Sequence, residues 1–125
     1  MYHIRVESDF SAAHFLASYN GKCEKLHGHN YNVRLWVKGS ELNEGGMLMD
    51  FSLLKKILND VLSDLDHTNL NDMEVFDNNP SAERIAKYIY EDVRKKLPPS
   101  PGIILEAVDV FEKNGSMARY ESKEA

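Results

Sequence analysis

From His27 to Val37 the side chains alternate without a break. His27, His29, Tyr31, Val33, Leu35 and Val37 take one side, and Asn30, Asn32, Arg34, Trp36 and Lys38 take the other. A period of two marks a strand with one buried face, so residues 27–39 require a fold built on a sheet that is covered on one side. That face opens with two imidazoles. Side chains at i and i+2 of a strand point the same way, so His27 and His29 can converge on one metal ion. Gly28 between them leaves room for close approach.

Residues 2–15 alternate as well, with Tyr2, Ile4 and Val6 set against His3, Arg5 and Glu7. If that alternation runs on without a bulge, His14 falls on the Tyr2, Ile4, Val6 face and becomes a third candidate ligand. His3 reads as an ordinary surface or core histidine. The connection 16–26 contains Asn20-Gly21 and is long for a hairpin, and loops of this kind often hold functional groups over a rigid scaffold. It carries Cys23, the one cysteine of the chain. Three imidazoles with an open fourth position form the usual catalytic zinc arrangement, whereas a structural site closes all four with protein ligands. Cys23 therefore has two readings. As a fourth ligand it makes a closed, structural centre; beside the metal it is a thiolate base or nucleophile.

The remaining elements follow from local signals. After Glu44-Gly45-Gly46, a short strand Met47-Leu48-Met49 leads to Asp50, an N-cap for a helix from Phe51 to about Leu65 with an apolar stripe of Leu54, Leu58, Val61 and Leu65. A polar segment 66–78 precedes a second helix, for which Asn79 is the expected cap and Pro80 the first helical residue. Ile85, Ala86, Ile89, Val93 and Leu97 give it a core face, and Pro98-Pro99-Ser100-Pro101-Gly102 ends it. Residues 103–112 and 116–121 read as a hairpin about Asn114-Gly115. The order ββααββ predicts an α+β domain spanning 1–125, an antiparallel sheet with both helices on one face. Long sheet edges, 103–112 among them, invite pairing with other copies.

Composition narrows the partners. A formal net charge of −5 argues against a sequence-independent nucleic-acid binder, which needs a basic face. Lys22 and Lys25 flank Cys23, with Arg34 further on, and read either as a solvated surface or as a local cradle for an anionic small molecule. A lone cysteine forms no intramolecular disulfide. No apolar run approaches the ~18 to 20 residues of a membrane span, and the first residues lack a signal-peptide pattern. A cytoplasmic protein without a membrane partner is expected.

Beyond the histidine cluster, Asp66-His67 follows the first helix. The histidine either complements the helix dipole or, held by the adjacent carboxylate, acts as a proton shuttle. Glu106 and Glu112 are expected on one face of the third strand with Ile104, Val108 and Val110. A carboxylate on a mostly apolar face is expensive unless paired, which makes Glu112 a candidate ligand anchor.

With Phe10-Ser11-Ala12-Ala13-His14, Cys23 four residues before His27-Gly28-His29, Met49-Asp50-Phe51, Leu65-Asp66-His67 with Leu70-Asn71, Asn79-Pro80-Ser81-Ala82-Glu83, and Glu112 eight residues before Tyr120, the chain resembles the 6-pyruvoyltetrahydropterin synthase family over nearly its whole length. The three residues between Cys23 and His27 are closer to the 6-carboxytetrahydropterin synthase branch than to the wider spacing of animal pyruvoyl-forming enzymes. Ser81-Ala82 also stands where those enzymes have paired threonines. The resemblance implies the tunnelling fold, in which sheets of neighbouring subunits join into a barrel and two trimeric rings stack as a homohexamer. It implies His14, His27 and His29 as ligands of Zn2+, Cys23 as the proton-abstracting thiolate and Asp66 and His67 as relay partners serving a neighbour's Cys23. Glu112 is implied as anchor of the pterin's amino-pyrimidine edge, with Glu83 and Ser81 lining the pocket. The implied substrate is 7,8-dihydroneopterin triphosphate, converted to 6-carboxy-5,6,7,8-tetrahydropterin, acetaldehyde and triphosphate on the way to 7-deazapurines such as queuosine precursors. The alternatives are triphosphate elimination to the pyruvoyl product and a non-catalytic zinc-stabilised binding module. A cysteine hydrolase using Cys23 and His67 is a weaker reading, since no oxyanion-hole signature accompanies it.

Overall fold

A computed structural model of the protein describes residues 1–17 and 25–123. Two long strands, β1 (Tyr2–His14) and β2 (His27–Gly39), are followed by helices α1 (Phe51–Ser63) and α2 (Ala82–Lys96), then by strands β3 (Ile103–Lys113) and β4 (Ser116–Glu121). The strands form one antiparallel sheet in the order β1-β2-β3-β4. β3 therefore lies inside the sheet rather than at its edge, and β1 and β4 are the edges.

The β1–β2 ladder keeps its register from Tyr2 opposite Gly39 to His14 opposite His27. Because no bulge interrupts it, the even residues of β1 and the odd residues of β2 share one face. Tyr31, Val33, Leu35 and Val37 are fully buried there, with Val6 and Phe10 beside them. Both helices cover this face, α1 against β1 and α2 against β3 and β4. Leu54, Leu58 and Val61 of α1 and Ile85, Ile89 and Val93 of α2 complete the core.

Four local expectations are corrected. Met47–Met49 is not a strand: the Asn43 side chain accepts from Gly45 N and Met47 N, and Asn43 N donates to Met47 O, closing a loop that satisfies its own backbone. Leu48 and Met49 still reach the core. Helix α1 is capped by Asp50, whose carboxylate accepts from Ser52 N, but it stops at Ser63 because the next turn tightens, with Leu65 N donating to Leu62 O. Helix α2 is capped by Ser81, not Asn79. The Ser81 hydroxyl accepts from Arg84 N, whereas the Asn79 side-chain Oδ1 is taken by Ala17 N, leaving Pro80 ahead of the cap.

The fourth correction concerns β3, where two bulges break the simple alternation. Leu105 pairs with Val37 and Ala107 with Trp36, so Glu106 is the extra residue. Phe111 pairs with Met117 and Lys113 with Ser116, so Glu112 is another. A bulge re-aims side chains. Leu105 is buried on the helix-covered face with Val108 and Val110, Ile104 lies opposite Lys38, and Glu106 turns to the other face to meet His3 at 2.8 Å. Glu106 thus leaves the face on which sequence placed it.

The opposite face has a polar centre. Asp109, 3% exposed, accepts from Trp36 Nε1 at 2.9 Å and from Arg119 Nε at 2.7 Å. The carboxylate also raises the pKa of Arg119. Arg34 packs over Phe111 and pairs with Glu7, so it is committed to this face and does not join Lys25 in a cradle. Replacing Asp109 by Ala strands the indole N–H and the guanidinium. It is expected to lower stability by about 1 to 3 kcal/mol, read as an earlier midpoint in chemical denaturation; an unchanged midpoint would mean that solvent replaces the carboxylate without loss.

Candidate metal centre and pocket

The unbroken β1–β2 register delivers three imidazoles to one end of the helix-covered face. His14 and His27 are direct cross-strand partners, and His29 follows two residues along β2. Each offers a ring nitrogen within 4.8 Å of the other two, with ring centroids 4.6 to 5.1 Å apart in edge-on pairs.

The surrounding groups select the tautomers. His14 is 2% exposed, and its Nδ1 lies 3.1 Å from the Pro80 carbonyl oxygen and 3.0 Å from the Tyr31 hydroxyl. A carbonyl can only accept, so Nδ1 carries the hydrogen and Nε2 the lone pair. The Lys25 carbonyl, 2.9 Å from His27 Nδ1, makes the same assignment there. A partner on the far nitrogen is the usual way a ligating histidine is oriented. The buried Nε2 of His14 has no hydrogen-bond partner among the described residues. Leaving such an acceptor unmatched costs about 1 to 3 kcal/mol, and a cation answers it. Three nitrogen donors at this spacing could hold a divalent ion such as zinc.

Glu112, Glu83 and Ser81 line one cavity with Leu16, at the junction of the α2 N-terminus and the β3–β4 turn. The bulge at Glu112 and the capping role of Ser81 put them there. Neither feature is visible in residue spacing. Cys23 and Lys22 lie outside the described residues.

Asp66 and His67 stand apart from that cavity. His67 lines a shallow depression with Ser11, Ala13, Gly28, His29 and Asn30, and no residue is common to the two. Its Nδ1 is 2.9 Å from Asp66 Oδ2, and its backbone is left-handed at φ 58°, a conformation costly for a residue with a Cβ. The clasp on β1 holds it: Ser11 N donates to Asp66 Oδ1 at 2.9 Å and His67 N donates to Ser11 O at 2.6 Å. The Ser11 amide, followed by His67, holds the Asp66 carboxyl below its ordinary 3.8. A depressed folded-state pKa gives stability that is present above the ordinary value and lost as pH falls through the lowered one. In NMR titration the Asp66 carboxyl is expected to protonate later on acidification than an exposed aspartate; titration at the ordinary value would mean that the Ser11 bond is not made.

Residues that spacing did not single out also build the site: Tyr31 and the Pro80 carbonyl behind His14, and Ser11 behind Asp66. Tyr31 is legible only as a core residue, and the backbone groups leave no trace in side-chain patterning. His29→Ala is expected to abolish stoichiometric zinc uptake by metal-stripped protein in calorimetric titration, with the core intact; undiminished uptake would place the ion elsewhere.

Comparison with known proteins supplies independent ground. The family model of 6-pyruvoyl tetrahydropterin synthase matches residues 3–123. A 6-carboxy-5,6,7,8-tetrahydropterin synthase of Synechocystis is 39% identical over 98% of this chain and 95% of its own length. A dihydroneopterin monophosphate aldolase of Pyrococcus furiosus is 39% identical over 86% of each chain. The solved 6-pyruvoyl tetrahydropterin synthase of Caenorhabditis elegans superposes with a TM-score of 0.83 at 28% identity, over 98% of this chain and 96% of that one. The family model spans nearly the whole chain and the sheet topology superposes on a solved member, so the chain belongs to the 6-pyruvoyl tetrahydropterin synthase family.

Proposed function

We propose that the protein is a zinc-dependent 6-carboxy-5,6,7,8-tetrahydropterin synthase acting on 7,8-dihydroneopterin triphosphate. The observation that carries this reading is the buried His14 Nε2, without a hydrogen-bond partner among the described residues, in a cluster of three imidazoles, with a cavity lined by Leu16, Ser81 and Glu112 beside it. Similarity to a named 6-carboxytetrahydropterin synthase over almost the whole chain supports the choice of product.

His14, His27 and His29 hold the ion. When bound, zinc supplies Lewis acidity toward the hydroxylated side chain of the substrate. Glu112 accepts the N–H groups of the amino-pyrimidine edge and so sets the orientation of the ring, with Ser81 and Glu83 shaping the wall. Cys23, as thiolate, removes the proton from the side-chain carbon next to the ring, and His67, held by Asp66, returns protons to the carbon framework. Triphosphate departs, water enters, and a retro-aldol-like cleavage releases acetaldehyde, leaving the carboxylate on the reduced pterin.

Asp66 and His67 act in a neighbouring copy's site in this reading. They share no lining residue with the Glu112 cavity, although His67 and His29 line one depression, and β4 and the uncovered part of β1 are edges at which sheets can join. The assembly is a hexamer made of two trimeric rings. No helix among the described residues is long and apolar enough to cross a membrane, in keeping with a cytoplasmic enzyme.

Incubation with 7,8-dihydroneopterin triphosphate and mass identification of products tests the reaction. Acetaldehyde together with 6-carboxytetrahydropterin is expected. Pyruvoyl product without acetaldehyde would instead give the triphosphate-eliminating alternative. Cys23→Ala is expected to keep its zinc and to lose at least about a hundredfold in turnover. Loss of the zinc with the thiol would instead make the centre a closed structural one.

A further inference from the structure

Two asparagine side chains hold the chain as it leaves β1. Asn71 Oδ1 accepts from Phe15 N at 2.8 Å, and Asn71 Nδ2 donates to Phe15 O at 2.9 Å. One carboxamide thus takes both backbone groups of the residue that follows His14, as a neighbouring strand would. It extends a real ladder: His67 N donates to Ser11 O, Ala13 N donates to Thr68 O, and Ala13 bridges Asn69 in parallel. Asn79 Oδ1 adds a bond from Ala17 N.

The same Asn71 Nδ2 also reaches Asn78 O at 3.2 Å and Asn78 Oδ1 at 3.1 Å. Asp77 and Asn78 are both left-handed, at φ 48° and 58°, so the turn they form depends on outside support. That turn leads in two residues to Pro80, whose carbonyl orients His14. Asn71 therefore ties together the two pieces of chain whose separation decides whether His14 Nδ1 meets its acceptor: the backbone just after His14 and the turn just before Pro80.

We propose that Asn71 is a positioning residue for the metal centre, clamping the Pro80 turn to the end of β1 so that His14 keeps its Nε2 lone pair on the ion. The inference rests on the reading of His14, His27 and His29 as a metal centre. Asn71 touches neither metal nor substrate, and its effect passes through Phe15 and Asn78 to the His14–Pro80 bond. The side chain must donate and accept at once. A carboxylate of the same shape would still accept from Phe15 N but would face the oxygens of Phe15 and Asn78 without a hydrogen.

The test is titration of metal-stripped full-length protein with Co2+, following its visible absorption, for wild type, Asn71→Asp, Asn71→Ala and Asn43→Ala. Asn43 closes a loop in a comparable way between β2 and α1, outside the site, and serves as a control for general loosening. Thermal melting of each stripped protein reports folding separately. The expected result is that both Asn71 variants weaken Co2+ binding about tenfold or more and alter the absorption envelope, while Asn43→Ala stays within about twofold of wild type at a comparable melting shift. Folded Asn71→Asp that binds Co2+ as wild type does would overturn the proposal. So would equal weakening by Asn43→Ala, which would reduce the effect to stability alone. Wild type that takes up no Co2+ and no zinc would overturn the metal-centre reading instead, and the two failures are distinguishable.

Discussion

The register between β1 and β2 is the constraint on which the rest depends. Slipping a two-residue repeat by one position turns every side chain to the other face. Such a slip here would bring Tyr31, Val33, Leu35 and Val37 out of the core and, in the same movement, carry His27 and His29 away from His14. The apolar rows that bury the sheet against α1 and α2 therefore also locate the imidazoles. Stability and the geometry of the histidine cluster are specified by one ladder, with the three imidazoles at its far end.

The end of that ladder is finished by groups that are not strands. The segment after α1 runs beside β1 from Ser11 to Phe15, first through backbone bonds and then through the Asn71 carboxamide. This covers part of an edge strand and holds His67 in a left-handed conformation it would not otherwise favour. Pro80 supplies its carbonyl to His14 one residue before Ser81 caps α2. The start of the second helix, the wall of the Glu112 cavity and the orientation of the most buried histidine are consequences of one short turn.

Periodicity made much of this legible in residues alone. The alternation of β1 and β2, the apolar stripes of both helices, the Asp50 cap and the Asn114-Gly115 turn all appear where the side chains place them, and the i, i+2 spacing anticipates the pairing of His27 with His29. What was not legible shares a physical cause. The bulges at Glu106 and Glu112 change which face a side chain takes without changing composition. Asn79 is as good a cap by type as Ser81, but its side-chain oxygen bonds Ala17 N, a contact that residue spacing does not show. The Met47–Met49 stretch is apolar but is closed into a loop by Asn43, whose contacts do not show in residue type. Asn71 sits in a motif of the family, yet its double role depends on three segments meeting in space.

In the proposed centre three imidazoles hold a divalent ion while the thiol of Cys23 stays off it. X-ray absorption at the zinc edge of purified, zinc-loaded protein measures this directly. The expected spectrum has only nitrogen and oxygen scatterers at about 2.0 to 2.1 Å, with the outer-shell pattern of three imidazole rings. A sulfur shell at about 2.3 Å would contradict it and make the centre a closed, structural one.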